Sequence, residues 1–283
     1  MRRIAGVLIW VNDRLVDEAA AVVSVLDHGL TVGDGVFETL KVLGGTPFAL
    51  TRHLRRLAGS ALGLGLPAPS DSAVRSAIES VLAANTYGEL GRLRITYTGG
   101  VAPLGSERGT NGPTLVIAVV PMAESPATTA VVTVPWPRNE HSALAGLKTT
   151  SYAENVIALA RARSAGATEA LASNTAGELC EGTGSNVFLV LDGQVVTPPL
   201  ASGCLAGVTR DLLLEWSGAT ELTVPMAVVA EASEVFLTST TRDVQGISAV
   251  DGRAVLADPG VPGPMTAELR AMFLARAREQ LDP

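Results

Sequence analysis

The sequence predicts an α/β protein with mixed sheets, divided into two domains. Strand-like and helix-like segments alternate on both sides of residues 121–129. Within that stretch, Pro121-Met-Ala-Glu-Ser-Pro126 has two prolines and no periodicity, which is typical of a linker. The 283 residues are enough for two modest domains. We therefore expect a smaller N-terminal domain over 1–120, a linker over 121–129 and a larger C-terminal domain over 130–283, with any site in the cleft between them.

The segments before the linker predict a smaller domain of strands and two helices. Alternating apolar residues predict strands, and apolar spacing of three and four residues predicts helices. The predicted elements are a hairpin (7–11 and 15–16), a strand (36–43), helices over 50–62 and 73–84, and strands over 92–98 and 114–120.

The same patterns continue after the linker. They predict a strand (130–134), a helix (151–164), a strand (170–173), a strand pair (186–191 and 194–197), a helix from Arg210, a strand (234–238) and a C-terminal helix (266–280).

Composition excludes several classes of protein. The net charge of -7 and the pI near 5.1 argue against a nucleic-acid partner. No run approaches the roughly 18 apolar residues of a membrane helix, and the short apolar stretch after the basic start predicts no signal peptide. We expect a cytoplasmic protein. Cys180 and Cys204 form neither a disulfide framework nor a metal-ligand pair, so we expect buried small apolar residues and no metal.

Lysine usage singles out one candidate amine. Among 21 basic residues only Lys41 and Lys148 are lysines. An arginine cannot form a Schiff base, whereas a lysine with a depressed pKa can. Lys41 lies in a strand-like alternation and is interpreted as a solvated strand residue. Lys148 stands before a predicted helix, whose N-terminal field would lower the pKa of its amine. Lys148 is therefore the better candidate nucleophile.

Four further segments each allow a structural and a functional interpretation. Glu181 enters a Gly-Thr-Gly turn, either as an exposed residue or as the partner of a protonated ring nitrogen. Thr209, in a capping position, is either an ordinary N-cap or part of a phosphate site. The hydroxyl run 238–241 is either a polar loop or a set of donors to an anion. The cations of 53–57 form either a solvated helix face or, with one arginine, a phosphate clamp.

Together these segments resemble the class IV (fold-type IV) pyridoxal 5'-phosphate (PLP) enzymes, the family of D-amino-acid and branched-chain aminotransferases, over almost the whole chain. The motifs that carry the resemblance are Asp27-His28-Gly29, Gly33-Asp34-Gly35-Val36-Phe37-Glu38-Thr39, His53-x-x-Arg56-Leu57, Leu147-Lys148-Thr149, Glu181-Gly-x-Gly-x-Asn186-x-Phe188, Gly207-Val208-Thr209-Arg210 and Thr238-Ser239-Thr240.

The resemblance implies a role for each of these motifs. It implies that Lys148 is the Schiff-base lysine and the acid/base, and that Glu181 pairs with the ring nitrogen of PLP. The phosphate would be held by Arg56, Val208, Thr209, Ser239 and Thr240. The remaining implied cofactor residues are Tyr152, towards the ring oxygen, with Ser185, Asn186 and Gly207. The resemblance also implies a homodimer in which residues 33–39 and 100–110 lie near the partner's active site.

The reaction depends on the substrate wall. Branched-chain enzymes of the family carry Tyr-x-Arg where this chain has Arg92-Leu93-Arg94, and the Arg-x-His of the D-amino-acid branch is absent after Gly100-Val101-Ala102-Pro103. A small anionic amino substrate with two carboxylates suits Arg94 plus a second cation. The interpretation is a 4-amino-4-deoxychorismate lyase of folate biosynthesis, which releases pyruvate and forms 4-aminobenzoate; the alternative is a branched-chain or D-amino-acid aminotransferase. The predicted substrate residues are Phe37, Arg92, Arg94, Arg108, Thr241 and Arg242.

Overall fold

The structure is a computed structural model that describes residues 6–283. The chain forms two compact units. The first comprises residues 6–123, Leu147–Tyr152 and Leu281–Pro283, and the second comprises Glu124–Gly146 and Ala153–Gln280. Each unit combines helices with a sheet, so the predicted α/β fold with mixed sheets is confirmed. Residues 1–5, the start of the segment for which no signal peptide is predicted, lie outside the described residues.

The first unit is built around a sheet with the strand order β2-β1-β6-β5-β3-β4, in which the strand pairs are antiparallel. Its elements are β1 (Leu8–Val11), β2 (Arg14–Asp17), α1 (His28–Thr31), β3 (Gly35–Leu43), β4 (Thr46–Pro47), α2 (Leu50–Gly63), α3 (Asp71–Ala84), β5 (Leu90–Thr98) and β6 (Thr114–Pro121), with a short 3-10 helix at Glu18–Ala20.

Two helices bury their apolar stripes in the core of this unit. Leu54 and Leu57 of α2, and Val74 and Ile78 of α3, recur at helical spacing and join one buried cluster with the side chains of β3, β5 and β6. The N-terminus of α3 is capped by the Ser70 hydroxyl, which accepts from the N–H of Ala73. These helices hold β3 and β5, the strands that carry several predicted site residues.

The end of the chain fixes the start of α2. The Asp282 carboxylate accepts hydrogen bonds from the backbone N–H and the hydroxyl of Thr51, at 2.8 and 2.6 Å. Ala49, the N-cap residue, has a left-handed backbone (φ 54°) and donates its N–H to the Leu281 carbonyl. Ala49 offers no side-chain cap. Asp282 therefore acts as the capping group of the helix that carries Arg56.

The second unit is built around a sheet whose main path is β12-β11-β10-β13-β14-β7-β8-β9, with β15 beside β14. Its elements are β7 (Thr128–Thr133), α4 (Ala153–Ser164), β8 (Glu169–Ser173), β9 (Leu179–Gly182), β10 (Asn186–Leu191), β11 (Gln194–Thr197), α5 (Val208–Ser217), β12 (Thr220–Glu221), β13 (Glu234–Ser239), β14 (Asp243–Val250), β15 (Arg253–Ala254) and α6 (Pro264–Glu279), with 3-10 helices at Leu200–Ser202 and Met226–Ala230. The pairs β7–β14, β7–β8 and β11–β12 are parallel.

Several sequence-based expectations need correction. Lys41 is buried, because β3 is covered on both sides along most of its length, and the prediction of a solvated residue is wrong. Helix α4 begins at Ala153, two residues later than predicted. The N-cap of α5 is Gly207, whose backbone is extended, so the capping position assigned to Thr209 is wrong. Strands β9 and β14 were not predicted. The predicted burial of Cys180 and Cys204 is confirmed.

None of the helices within residues 6–283 combines the length and the apolar character that crossing a membrane requires.

Candidate active site

Lys148 lies in a segment that pairs with the beginning of β3 in the first unit. The Phe37 N–H donates to the Lys148 carbonyl at 3.0 Å, and the Thr150 N–H donates to the Gly35 carbonyl at 2.7 Å. The Lys148 N–H donates in turn to the hydroxyl of Ser60 on α2, at 3.2 Å. The backbone of the predicted nucleophile is thus fixed by a strand and a helix, while its side chain is only partly buried.

The ring of Phe37 gathers three other predicted site residues. The Lys148 Nζ lies 4.5 Å from the ring centroid, and the Arg94 Cζ lies 3.4 Å from it. The Tyr152 ring meets the Phe37 ring edge-on, with centroids 5.3 Å apart. Cations over an aromatic face are attracted by its quadrupole. The structure therefore brings Lys148, Arg94 and Tyr152 together around the ring of Phe37.

Arg56 is held by two buried neighbours. Its Nε and Nη2 donate to the two oxygens of Glu38, each at 2.7 Å, and His53 Nδ1 lies 2.7 Å from Glu38 Oε2. Burial alone would raise the pKa of Glu38, but Arg56 and then His53 outweigh it and hold that pKa well below its usual range. Burial lowers the pKa of His53 despite the neighbouring carboxylate. Of the cations of this helix, Arg55 is exposed to solvent, whereas His53 and Arg56 lie against an ionised Glu38, which orients Arg56.

Three of the four arginines predicted at the substrate wall lie in the first unit and have different surroundings. Arg92 and Arg94 project from the same face of β5, because side chains two residues apart share a face. The Arg94 Nη1 donates to the Thr39 hydroxyl at 3.3 Å, and loss of water lowers its pKa to about 10, so it stays charged at neutral pH. Arg108 donates from Nε and Nη2 to both oxygens of Asp34, at 2.9 and 2.7 Å.

Arg108 has backbone partners as well as Asp34. Its Nη1 donates to the Gly65 carbonyl at 2.8 Å, and its Nη2 donates to the Leu64 carbonyl at 2.7 Å. These two hydrogen bonds tie the loop after β5 to the end of α2, and the two to Asp34 tie it to the residues before β3. The structure thus gives Arg108 a bracing role that its sequence context did not indicate.

In the second unit, Glu181 lies on β9 with two polar neighbours. Its Oε2 accepts from the Leu205 N–H at 3.0 Å, and its Oε1 lies 3.6 Å from Nη2 of Arg138. The Glu181 side chain is 13% exposed and that of Arg138 is 25% exposed. Arg138 was not predicted as a functional residue, and one arginine among so many gave no signal that could have identified it. A carboxylate with fixed orientation is suited to hold a cationic ring.

The N-terminus of α5 is suited to hold an anion. Gly207 is its N-cap and no side chain caps the first turn, so backbone N–H groups of Val208 and Thr209 are presented at the helix end. Asn186 packs so tightly on Gly207 that an added Cβ would lie 2.0 Å from its Oδ1, and its Nδ2 donates to the Leu205 carbonyl at 2.8 Å. A side chain at 207 would fill this approach, which is the arrangement that phosphate-binding turns use.

The hydroxyl residues at the end of β13 lie in this same unit. Thr238 is buried, and its hydroxyl is an orphan: it has no hydrogen-bond partner among the described residues. Ser239, Thr240 and Thr241 are half-buried. The hydroxyl of Ser239 accepts from the backbone N–H of Arg242 at 3.3 Å. An orphaned buried hydroxyl beside further hydroxyls fits a loop that binds an anion.

Two predicted ligand residues meet at a buried carboxylate, Glu169. Ser185 donates to Glu169 at 3.1 Å, and the Arg242 Nη2 lies 3.5 Å from the same oxygen. The Thr183 N–H also donates to Glu169, at 2.9 Å. Burial raises the pKa of Glu169, with Arg242 as the main opposing influence. In the structure Arg242 therefore braces the 183–185 turn, a contact that sequence reasoning missed.

Comparison with known proteins identifies the family. The model of the amino-transferase class IV family matches residues 35–250. The chain is 31% identical, over 276 residues and 94% of both proteins, to a provisionally assigned branched-chain-amino-acid aminotransferase of Methanocaldococcus jannaschii. It is 28% identical to the D-alanine aminotransferase of Bacillus licheniformis, covering 92% of this chain and 93% of that protein.

Solved structures agree with the sequence comparison. The branched-chain amino acid aminotransferase of Escherichia coli superposes with a TM-score of 0.88 at 26% identity, covering 95% of this chain and 94% of that one. The PLP-bound form of a hypothetical aminotransferase from Mycobacterium tuberculosis superposes with a TM-score of 0.83 at 25% identity, covering 95% of this chain and 98% of that one. The predicted cofactor is thus confirmed for the family. Because the family model spans most of the sequence, including Lys148 and Glu181, the chain belongs to the class IV aminotransferases.

Proposed function

We propose that this protein is a PLP-dependent aminotransferase that acts on a small amino acid. The observation that carries the proposal is the amine of Lys148 beside the ring of Phe37, with the cation of Arg94 on the same ring. This arrangement offers a nucleophilic amine next to a group that can bind a carboxylate. The two relatives named above, a branched-chain and a D-alanine aminotransferase, support the same reaction class.

The residues of the chain fit the proposed cofactor. Lys148 would hold PLP through its aldehyde carbon, and Glu181 would pair with the ring nitrogen. The residues that would hold the phosphate are Arg56, Val208 and Thr209 through their N–H groups, and Ser239 and Thr240 through their hydroxyls. The uncapped start of α5 and the orphaned Thr238 hydroxyl support this assignment. Tyr152 would face the ring oxygen, and Ser185, Asn186 and Gly207 would shape the turns around the cofactor.

When bound, PLP supplies an electron sink for the charge that develops at the substrate alpha carbon. Lys148 would carry the proton that leaves this carbon, because a lysine amine can act as a general base. Phe37 covers the amine with an apolar surface and limits the access of water. Arg94 binds the substrate carboxylate, since a guanidinium donates two parallel hydrogen bonds to such a group.

A second candidate reaction is supported by Arg92. Arg92 and Arg94 lie on one face of β5, and two adjacent cations suit a substrate with two carboxylates, such as 4-amino-4-deoxychorismate. The lyase reaction requires the same loss of the alpha proton to Lys148, so the residues around the lysine serve both reactions. The lyase activity and its place in folate biosynthesis stay predictions.

Substrate assays distinguish the two reactions. Holoenzyme is incubated with D-alanine or leucine plus 2-oxoglutarate, and separately with aminodeoxychorismate without an oxo acid. Turnover that requires the oxo acid is the expected result. Release of pyruvate and 4-aminobenzoate without any acceptor would instead establish the lyase. Lys148→Ala should abolish either reaction, and borohydride should link PLP irreversibly to the wild type but not to this variant.

A homodimer is part of the proposal. Residues 22–32 of the first unit carry several exposed apolar side chains, which soluble monomers rarely cluster. The most exposed are Val25 at 76%, Val22 at 74% and Leu30 at 69%. A second copy of the chain would cover them. Light scattering should give the mass of a dimer; the mass of a monomer would contradict this part of the proposal. The cytoplasmic location stays a prediction.

A further inference from the structure

Arg138 is built into the second unit by three kinds of contact. Its backbone N–H donates to the Ser173 carbonyl at 2.8 Å, which fixes the residue beside β8. Its Nη1 donates to the amide oxygen of Asn155 on α4 at 3.2 Å. Its Nη2 lies 3.6 Å from Oε1 of Glu181. The guanidinium is therefore held between a helix and the carboxylate on β9.

The other ends of these contacts are also fixed. Asn155 is buried and donates from Nδ2 to the Thr183 carbonyl, two residues beyond Glu181. Glu181 accepts from the Leu205 N–H at its second oxygen. A mobile surface arginine would lose side-chain entropy in forming such a pair, but the Asn155 hydrogen bond already holds this one. The charge of Arg138 therefore acts on Glu181 in a defined geometry.

We propose that Arg138 is a positioning residue that keeps Glu181 oriented and ionised. The proton between Glu181 and the ring nitrogen of bound PLP would then stay on the nitrogen. This inference rests on the proposed function, in which Glu181 pairs with that nitrogen.

The physical reason is the behaviour of ion pairs that are removed from water. A carboxylate and a pyridinium in a poorly hydrated site can lose their charges by moving the proton to the carboxylate, because desolvation disfavours both charged groups. A neighbouring guanidinium stabilises the carboxylate anion and so opposes this transfer. Without a proton on its nitrogen, the ring withdraws electrons less strongly. Arg138 thereby acts on the cofactor through Glu181, without touching the reacting atoms.

The test uses holoenzyme loaded with PLP that carries an isotope label at the ring nitrogen, with the nuclear magnetic resonance signal of that nitrogen as the readout. Wild type should give the signal of a protonated ring. Glu181→Gln, whose amide carries no charge, provides the reference for a ring that has lost its proton. Arg138→Gln keeps a polar side chain without the charge, and its signal should move more than half of the way to that reference. Arg138→Lys keeps the charge and should stay near wild type.

Controls separate this effect from a general loss of structure. Arg163→Met removes an exposed arginine from α4 and should leave the nitrogen signal unchanged. If Arg138→Gln does not fold, Asn155→Ser removes the partner of Nη1 and should give a smaller shift in the same direction. An unshifted nitrogen signal in the folded variant without the charge would overturn the inference. Failure of wild type to bind PLP at all would instead overturn the proposed function.

Discussion

Replacement of Glu38 by Gln tests the buried group that orients Arg56. Glu38 is fully buried on β3 and accepts two hydrogen bonds from Arg56, each 2.7 Å long, in addition to its contact with His53. Glutamine keeps the shape of the side chain but has one acceptor oxygen and a new N–H₂ donor. One of the Arg56 or His53 nitrogens that now contact the carboxylate would then face the new N–H₂ group. The substitution leaves the Arg56 cation without its counterion.

The expected loss of stability follows from the burial of this pair. Removing one partner of a buried ion pair costs about 3–5 kcal/mol, because the remaining charge is uncompensated. The Arg56 side chain is 14% exposed, so water can partly solvate it and the lower end applies. We expect Glu38→Gln to reduce the free energy of unfolding by about 3 kcal/mol. The control Asp71→Asn breaks an exposed pair with Arg75 on α3 and should cost no more than about 1 kcal/mol.

The pH dependence gives a second check on the same variant. The folded-state pKa of Glu38 lies below its ordinary value of 4.5, so its contribution to stability is present above pH 4.5 and is lost as the pH falls further. Urea unfolding is therefore followed from neutral pH downward. The gap between wild type and Glu38→Gln should be constant above pH 4.5 and should narrow below it. A neutral-pH gap under about 1 kcal/mol, or one that acid does not narrow, would refute the reasoning.

Three further substitutions test other contacts. Gly207→Ala places a Cβ 2.0 Å from Asn186 Oδ1; it should weaken PLP binding about tenfold or more in absorbance titrations, and unchanged affinity would argue against a phosphate site at α5. Asp282→Ala removes the acceptor of the Thr51 N–H and should lower the free energy of unfolding in urea by about 1 kcal/mol. An unchanged free energy of unfolding would show that the chain end does not cap α2. Arg94→Gln should raise KM for the carboxylate substrate about 10- to 100-fold in steady-state assays, whereas an unaltered KM would exclude Arg94 from substrate binding.

Local periodicity predicted much of the fold. The apolar spacing of α2 and α3 and the alternation of β3 and β5 are local signals, and the structure confirms these elements within two residues at their ends. Strands β9 and β14 were missed for a physical reason. Strand β9 has only four residues and β14 contains Gly246, so neither shows a long alternation, and their pairing with β8 and β13 makes them strands.

The sequence proposes site residues most clearly where the chemistry requires a rare residue type. Lys148 stood out because lysine is so scarce in this chain, and Glu181 because it adjoins a glycine-rich turn. The partners of the arginines were not predictable in this way. Arg108 meets Asp34 across 74 positions of sequence, and no local pattern records a pairing over such a distance. Only the register of the folded strands and loops brings these charges together.

These pairings narrow the choice of substrate arginine. Arg108 and Arg242 each lie beside a carboxylate, so part of their charge is already compensated, and each would have to give up contacts to bind an anionic substrate. Arg94 instead contacts a hydroxyl and an aromatic ring, and Glu38, which carries the Arg56 ion pair, acts on it only through space. An anion gains most from a cation of this kind. We therefore propose Arg94 for binding a first carboxylate, and Arg92, two residues away on the same face of β5, as the residue that would recognise a second one.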